Sequence, residues 1–185
     1  MYFHKDIRLS KGSYMGRQFY FVTLCCCDRR QIFFDPTSCC WLLEMLRSES
    51  AARGFAIHAY CIMPDHVHFL AEGLLPSSNF TGFVRAFKIK TSRAYRLNAS
   101  QPLWQKKFFD HILRPSEPIE PVAYYIWMNP VRKGLSRTVR EYPFAGSFTQ
   151  MSARMPAPCA LWCPPWTSKA PASEGGRYKI PQREE

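Results

Sequence analysis

No stretch of this 185-residue sequence is apolar for long enough to cross a membrane. Its first residues, Met-Tyr-Phe-His-Lys-Asp-Ile-Arg, lack the unbroken apolar run of a secretion signal. A cytoplasmic protein without membrane attachment is expected. Acidic residues are scarce: 14 Asp and Glu stand against 25 Lys and Arg, a formal charge of +11. Such an excess attracts polyanions, of which nucleic acid is the commonest inside cells. A merely basic soluble protein would carry the same charge. Internal repeats are absent. Cysteine is plentiful at eight, but spacings that would make it a framework are missing. Cys25, Cys26 and Cys27 are consecutive, and so are Cys39 and Cys40. Neighbours on a strand point to opposite faces and cannot easily converge on one bridge or metal. Cys159 and Cys163 have no second pair to complete a zinc site. All eight read as reduced, mostly buried side chains.

What is present is enough for one domain with a real core: 46% of residues are apolar and 15% aromatic. Aromatic and β-branched residues make Gln18 to Cys26 a strand. Asp35-Pro36-Thr37 starts a helix whose apolar positions include Trp41, Leu42, Met45 and Leu46, and Gly54 ends it. Phe55 to Met63 and His66 to Glu72 read as a hairpin turning at Pro64-Asp65. From Phe80 to Leu97 runs an amphipathic helix, with Phe80, Phe83, Val84, Phe87, Ala94 and Leu97 in one arc and Arg85, Lys88, Ser92 and Arg96 in another. Lys90 sits at the margin of the apolar arc, where snorkelling relieves it. The basic face suits a phosphate backbone and equally suits plain solvent.

Phe108 to Leu113 is a fourth strand. A last helix is expected from about Ser116, as its cap, to Asn129, closed by Pro130, with Pro121 delaying its regular part until Val122. The order βαββαβα predicts an α+β fold, a ferredoxin-like antiparallel sheet covered by helices. Residues 1–150 form this domain. Beyond Gln150 lie six of the fifteen prolines and no periodicity, so residues 151–185 are expected to be a Pro-rich, mostly disordered tail. Trp162 and Trp166 are unusual for such a tail and suit local docking.

Chemistry concentrates in two places. In His66-Val67-His68 the imidazoles share one strand face while Val67 enters the core. Two neutral imidazoles suit a divalent Lewis acid and leave positions for a carboxamide, water and phosphate oxygen. Strand histidines are also common as structure. Tyr125 and Asn129, four apart on the last helix, stack on one face. Asn129 can complete the metal site and Tyr125 be presented beside it. A phenol with a pKa of about 10 is a weak nucleophile that a nearby cation activates.

Together these residues resemble a known family. Met63-Pro64-Asp65-His66-Val67-His68 is similar to the His-hydrophobe-His signature of REP-associated tyrosine transposases, a branch of the single-strand DNA transposases with an insertion-sequence-200-like domain. Leu103 to Arg114 resembles that family's Trp-Gln…Asp-His…Arg block. Tyr125-Ile126-Trp127-Met128-Asn129-Pro130-Val131-Arg132-Lys133-Gly134-Leu135 resembles its Tyr-Ile-x-x-Asn-Pro-Val-x-x-Gly segment. The likeness covers roughly Gly12 to Phe148. It implies that Tyr125, rather than the adjacent Tyr124, is the nucleophile, and that His66, His68 and Asn129 bind Mg²⁺ or Mn²⁺. It implies two transesterifications through a 5′-phosphotyrosine on hairpin-bearing single-stranded DNA, without a nucleotide cofactor. Candidate DNA contacts are Arg85, Lys88 and Arg96 for phosphates, with Trp104, His111 and Arg114 near the site, though Trp104 suits the core as well. Monomer and homodimer both stay open, because relatives differ in whose tyrosine serves whose metal. Pro118 and Pro121, the Cys-rich first strand and the Pro-rich tail depart from the family pattern. The alternatives are a DNA-binding protein that has lost cleavage, or a metal-dependent phosphodiesterase using water.

Overall fold

The computed structural model describes residues 11–96 and 99–150. Leu97, the tail beyond Gln150, and Cys159, Cys163, Trp162 and Trp166 lie outside them. The aromatic and β-branched first strand forms β1 (Phe19–Cys25), and Asp35 caps α1 (Pro36–Ala52) by accepting the Ser38 N–H at 3.0 Å. Gly54, at φ +68°, lets the chain leave α1 in a left-handed turn. The hairpin β2 (Phe55–Met63) and β3 (His66–Gly73) follows, then α2 (Phe80–Tyr95), β4 (Phe109–Ile112), α3 (Ile119–Arg132) and a two-residue β5 (Ala145–Gly146).

The sheet has the order β4-β1-β3-β2-β5, antiparallel throughout. That is the split arrangement of the expected ferredoxin-like α+β fold, with β5 added at one edge. One sheet face carries Tyr20, Val22, Leu24, Val67 and Phe69, which pack with Leu42 and Leu46 of α1 and Phe80, Phe83 and Phe87 of α2. The other carries Phe21, Leu70, Ala59, Cys61 and Met63 beneath Val122, Tyr125, Ile126 and Trp127 of α3. Val67 enters the first core, as its place between two histidines requires. No helix of the described residues is long and apolar enough to cross a membrane. Six cysteines are described and all are free; Cys25, Cys26, Cys39 and Cys61 are buried, Cys40 is exposed and Cys27 lies between.

The last helix differs most from expectation. Pro118, not Ser116, is its N-cap, and Pro121 falls in the first turn, where N–H groups have no intrahelical acceptor anyway. Pro130 does not close it. The helix passes through Pro130 to Arg132 and ends where Gly134 adopts φ +70°. The Leu135 N–H reaches the Pro130 carbonyl at 2.8 Å and that of Gly134 the Val131 carbonyl at 3.0 Å, the paired bonds of a Schellman motif. Proline has no N–H for the Ile126 carbonyl one turn back; the Asn129 side-chain amide stands in, donating to Tyr125 O at 2.9 Å and to Ile126 O at 3.4 Å.

Lys90 also finds more than solvent. Its ammonium pairs with the buried Glu49 carboxylate of α1, which Arg53 approaches at 3.3 Å from the other oxygen. Burial pushes the Glu49 pKa up, but the hydrogen bonds and charges of Lys90 and Arg53 outweigh it and hold the carboxyl below its usual value. The Glu49 side chain is 2% exposed and that of Lys90 59%, so the two are not equivalent. Lys90→Met strands a buried charge with one partner and is expected to cost about 2 kcal/mol. Glu49→Gln leaves only cations that water can solvate and should cost under about 1 kcal/mol. Urea unfolding of the two variants at pH 7 measures the order.

Candidate active site

Strand register assembles the site. Cross-strand partners share a face, so Cys25–His66–Met63 form one row across β1, β3 and β2, and Thr23–His68–Cys61 the next. Both histidines are thereby put on the face that α3 covers, and both are fully buried. His66 Nδ1–H donates to Asp65 Oδ1 at 2.5 Å, and Thr23 Oγ1 lies 2.9 Å from His68 Nδ1. A hydroxyl serves either tautomer, because it both donates and accepts. With the two Nδ1 atoms so engaged, the two Nε2 atoms turn to each other at 3.1 Å.

Two facing nitrogens at that distance need a shared proton or a cation between their lone pairs. Nitrogens about 2.1 Å from one ion and at right angles around it stand about 3.0 Å apart, so the pair fits two neighbouring corners of a coordination sphere. Among the described residues no three His, Cys, Asp or Glu side chains gather into a metal-binding group; an amide oxygen is a ligand type outside those four. Asn129 can supply one. Its amide nitrogen is turned back to the α3 backbone, so the oxygen is the atom that would coordinate.

Burial holds both imidazoles neutral. It is the largest influence on His66 and on His68 and lowers both pKa values, that of His68 well below 6.5; the Asp65 carboxylate opposes the shift at His66 without reversing it. Neutral imidazoles are the form that binds metal.

Tyr125 lies over the second row. Its ring meets His68 edge-on at 6.1 Å and Phe21 at 5.9 Å, and the Arg132 guanidinium stands 5.1 Å from its centroid. It is 4% exposed, while Tyr124 beside it is half-buried. Thus His66, His68 and Tyr125 come together, and Asn129 follows one turn further along the same helix.

The predicted DNA contacts scatter. Arg85 on α2 and Arg96 at its C-cap are exposed, and Arg96 lines an open cavity of about 590 Å³ with Arg93, Lys106 and Ile89. Lys88 is not a free phosphate contact: its ammonium donates to the carbonyls of Gln105 at 2.7 Å and Lys106 at 2.9 Å. Trp104 is core, packed on Phe33 and Phe87, with its indole N–H on Thr91 Oγ1 at 2.8 Å. His111 is on the histidine face but opposite Phe21, one row from His68, and pairs with Glu117 at 3.0 Å. Arg114 is exposed, its N–H on the same carboxylate at 2.7 Å. Sequence reasoning missed Asp65, Thr23, Arg29, which pairs with Asp65 at 3.2 Å, and Arg132. Arg132 follows Tyr125 by two turns, a spacing hidden by the expectation that Pro130 ends the helix.

The buried imidazoles give a pH dependence. Their folded pKa values lie below the unfolded value near 6.5, so the unfolded chain takes up protons that the native chain refuses. Their contribution to stability is complete above that pH and is lost as pH falls toward the folded values. In EDTA, the unfolding free energy should drop between pH 7 and 5 by up to about 1.4 kcal/mol per unit for each imidazole. Urea titrations of His68→Asn should give a flatter profile than the wild type.

Against known proteins, the family described as "Transposase IS200 like" matches residues 16–129. A REP-associated tyrosine transposase of Escherichia coli K12 is 30% identical over 96 residues, 50% of this chain and 54% of its own length. A Haemophilus influenzae protein whose name assigns it to the same group is 26% identical over 114 residues, 55% of this chain and 64% of its own. The chain thus spans under two thirds of the length of these relatives. A solved structure of a REP-associated tyrosine transposase bound to a REP hairpin aligns with 76% of this chain and 81% of its own, at a TM-score of 0.64 and 24% identity, and supports the fold. With more than half of its length matched, including both histidines, Tyr125 and Asn129, the chain belongs to the IS200-like transposase family.

Proposed function

We propose that this protein is a single-strand DNA transesterase that cuts and rejoins DNA beside hairpins, with Tyr125 as nucleophile. The observation that carries the reading is the meeting of the Tyr125 ring with His68, whose Nε2 faces that of His66 at 3.1 Å. Two residues of one chain, distant in sequence, make a phenol and a nitrogen pair neighbours. That supports use of the tyrosine in its own subunit. A divalent cation, Mg²⁺ or Mn²⁺, would be held by His66, His68 and Asn129 and would supply Lewis-acid withdrawal of charge from a bound phosphate.

The chain's own groups do the rest. Asp65 and Thr23 fix the imidazole rings from behind, as outer partners do in metal sites. The Tyr125 oxygen attacks a backbone phosphorus; a phosphorus–oxygen bond to tyrosine forms, the bond to the 3′ oxygen breaks, and that oxygen leaves as a 3′-hydroxyl once protonated. The 5′-phosphotyrosine conserves the bond, so the reverse attack by the same or another 3′-hydroxyl rejoins strands without a nucleotide cofactor. Arg132 over the ring brings positive charge beside the phenol that would react. The exposed Arg85, Arg96 and Arg114, with His111 nearer the site, suit the path of the strand. The hairpin substrate is inferred from the solved relative's ligand, and residues 1–150 are proposed as the domain that carries the chemistry.

Hairpin single-stranded DNA incubated with the protein and Mg²⁺ or Mn²⁺, then denatured, tests the reading. A covalent protein–DNA adduct is expected; Tyr125→Phe should abolish it while retaining binding, and EDTA should stop cutting. Cutting that persists in Tyr125→Phe without an adduct would mean hydrolysis by water. Binding with no cutting under any metal would mean a DNA-binding protein.

A further inference from the structure

We infer that Arg29 is a phosphate-binding residue of this centre, taking the phosphodiester under attack while Asp65 tethers and aims it; the inference rests on the transesterase reading. It starts from the backbone. Asp28 and Arg29 both have φ 55°, and they are the two non-glycine residues with positive φ among those described. Consecutive side chains in the left-handed region are strained, and such strain persists where the surroundings over-determine it. Here they do. The Cys26 N–H bonds the Asp65 carbonyl at 2.8 Å, that of Cys27 the Leu103 carbonyl at 2.8 Å, and that of Arg29 the Cys26 carbonyl at 3.1 Å. The Arg30 guanidinium has other partners, the carbonyls of Pro102 at 2.5 Å and Cys27 at 3.3 Å.

The turn delivers one guanidinium to one place. Asp65 divides its carboxylate, giving Oδ1 to His66 Nδ1 at 2.5 Å and Oδ2 to Arg29 Nη1 at 3.2 Å. Arg29 is therefore one carboxylate's width from a proposed metal ligand, and its charge acts on both imidazoles. An ion pair with a side chain that is still 33% exposed adds little to stability, so the pair alone does not account for two strained residues. The Asp65 contact occupies one arm of the guanidinium fork. The remaining N–H donors, partly open to solvent, are a match for two oxygens of a phosphate.

A methylphosphonate scan tests this. The probe is a hairpin oligonucleotide selected by the wild-type chain from a randomised single-stranded library, with one backbone charge removed at successive positions of its unpaired flank. Affinity is read by fluorescence anisotropy in EDTA on the Tyr125→Phe background, with and without Arg29→Gln; the cut position is mapped separately with the wild type and Mn²⁺. At the phosphate that is cut, neutralisation should weaken the Arg29 protein about ten-fold and the Arg29→Gln protein not at all. Arg29→Lys, which keeps the charge but loses the fork, should retain part of that sensitivity and report on a correctly folded site. If Arg29→Gln stays sensitive at every position, or is insensitive only away from the cut, the inference is wrong. A wild type that binds no hairpin, or binds and never cuts, refutes the transesterase reading itself, and the assignment of Arg29 falls with it.

Discussion

The site depends on the burial of two uncharged imidazoles side by side on one strand. Water would scatter them, protonate them and separate them. Under α3 they are kept neutral and pressed to 3.1 Å between Nε2 atoms. Unpaired ring nitrogens in a dry interior are costly, and each Nδ1 is accordingly answered from within the sheet, by Asp65 at the hairpin turn and Thr23 on the neighbouring strand. The antiparallel register that sets Thr23 opposite His68 is thus both a folding feature and the device that turns two ring edges toward a common point.

The second half of the centre is held by a helix that should have broken. Pro130 removes a hydrogen bond in the last turn, yet the Asn129 amide covers the carbonyls behind it, and Gly134 ends the helix in a Schellman turn four residues later. The Asn-Pro-Val-x-x-Gly-Leu run therefore has a structural account independent of chemistry. Asn129 repairs the helix with its nitrogen, which leaves the oxygen for the proposed metal. Support of the backbone and the proposed role as a metal ligand need not compete in one side chain.

Much of this was legible in the sequence because it rests on short-range physics. The hairpin follows from two β-rich runs around Pro64-Asp65, and the shared face of His66 and His68 from a period of two. Tyr125 and Asn129 follow likewise from a period near 3.6. What escaped was decided by tertiary contact. Lys90 reads as a misplaced charge until Glu49 is seen beneath it on another helix. Lys88 belongs to a basic face by its angle, but its long stem reaches two carbonyls of the loop before β4. Trp104 lies among polar and basic neighbours in sequence and still closes the core, because its bridge to Cys26 pins that loop across the end of the sheet. The extent of α3 was misjudged for the opposite reason: the local rule for proline is sound on average, and a side-chain amide overrode it here.

These constraints bear on how the proposed reaction would run. Tyr125 sits on a packed helix. Its ring is wedged among Phe21, His68 and Arg132, and the helix beneath it is anchored by Trp127, whose indole N–H bonds the Gly146 carbonyl at 2.8 Å on the far edge strand. Rigid elements hold reacting groups more closely than loops do, and a misplacement of about 1 Å is enough to forfeit most of a rate advantage. In the proposed reaction the strand would come to the tyrosine, which calls for positive charge at the rim. Arg29, Arg132 and Lys133 supply it: Arg29 and Lys133 both act electrostatically on His66, and Arg132 stands over the phenol. Part of the formal +11 charge is thereby gathered around the proposed centre, which would otherwise offer a polyanion only two neutral rings and a phenol.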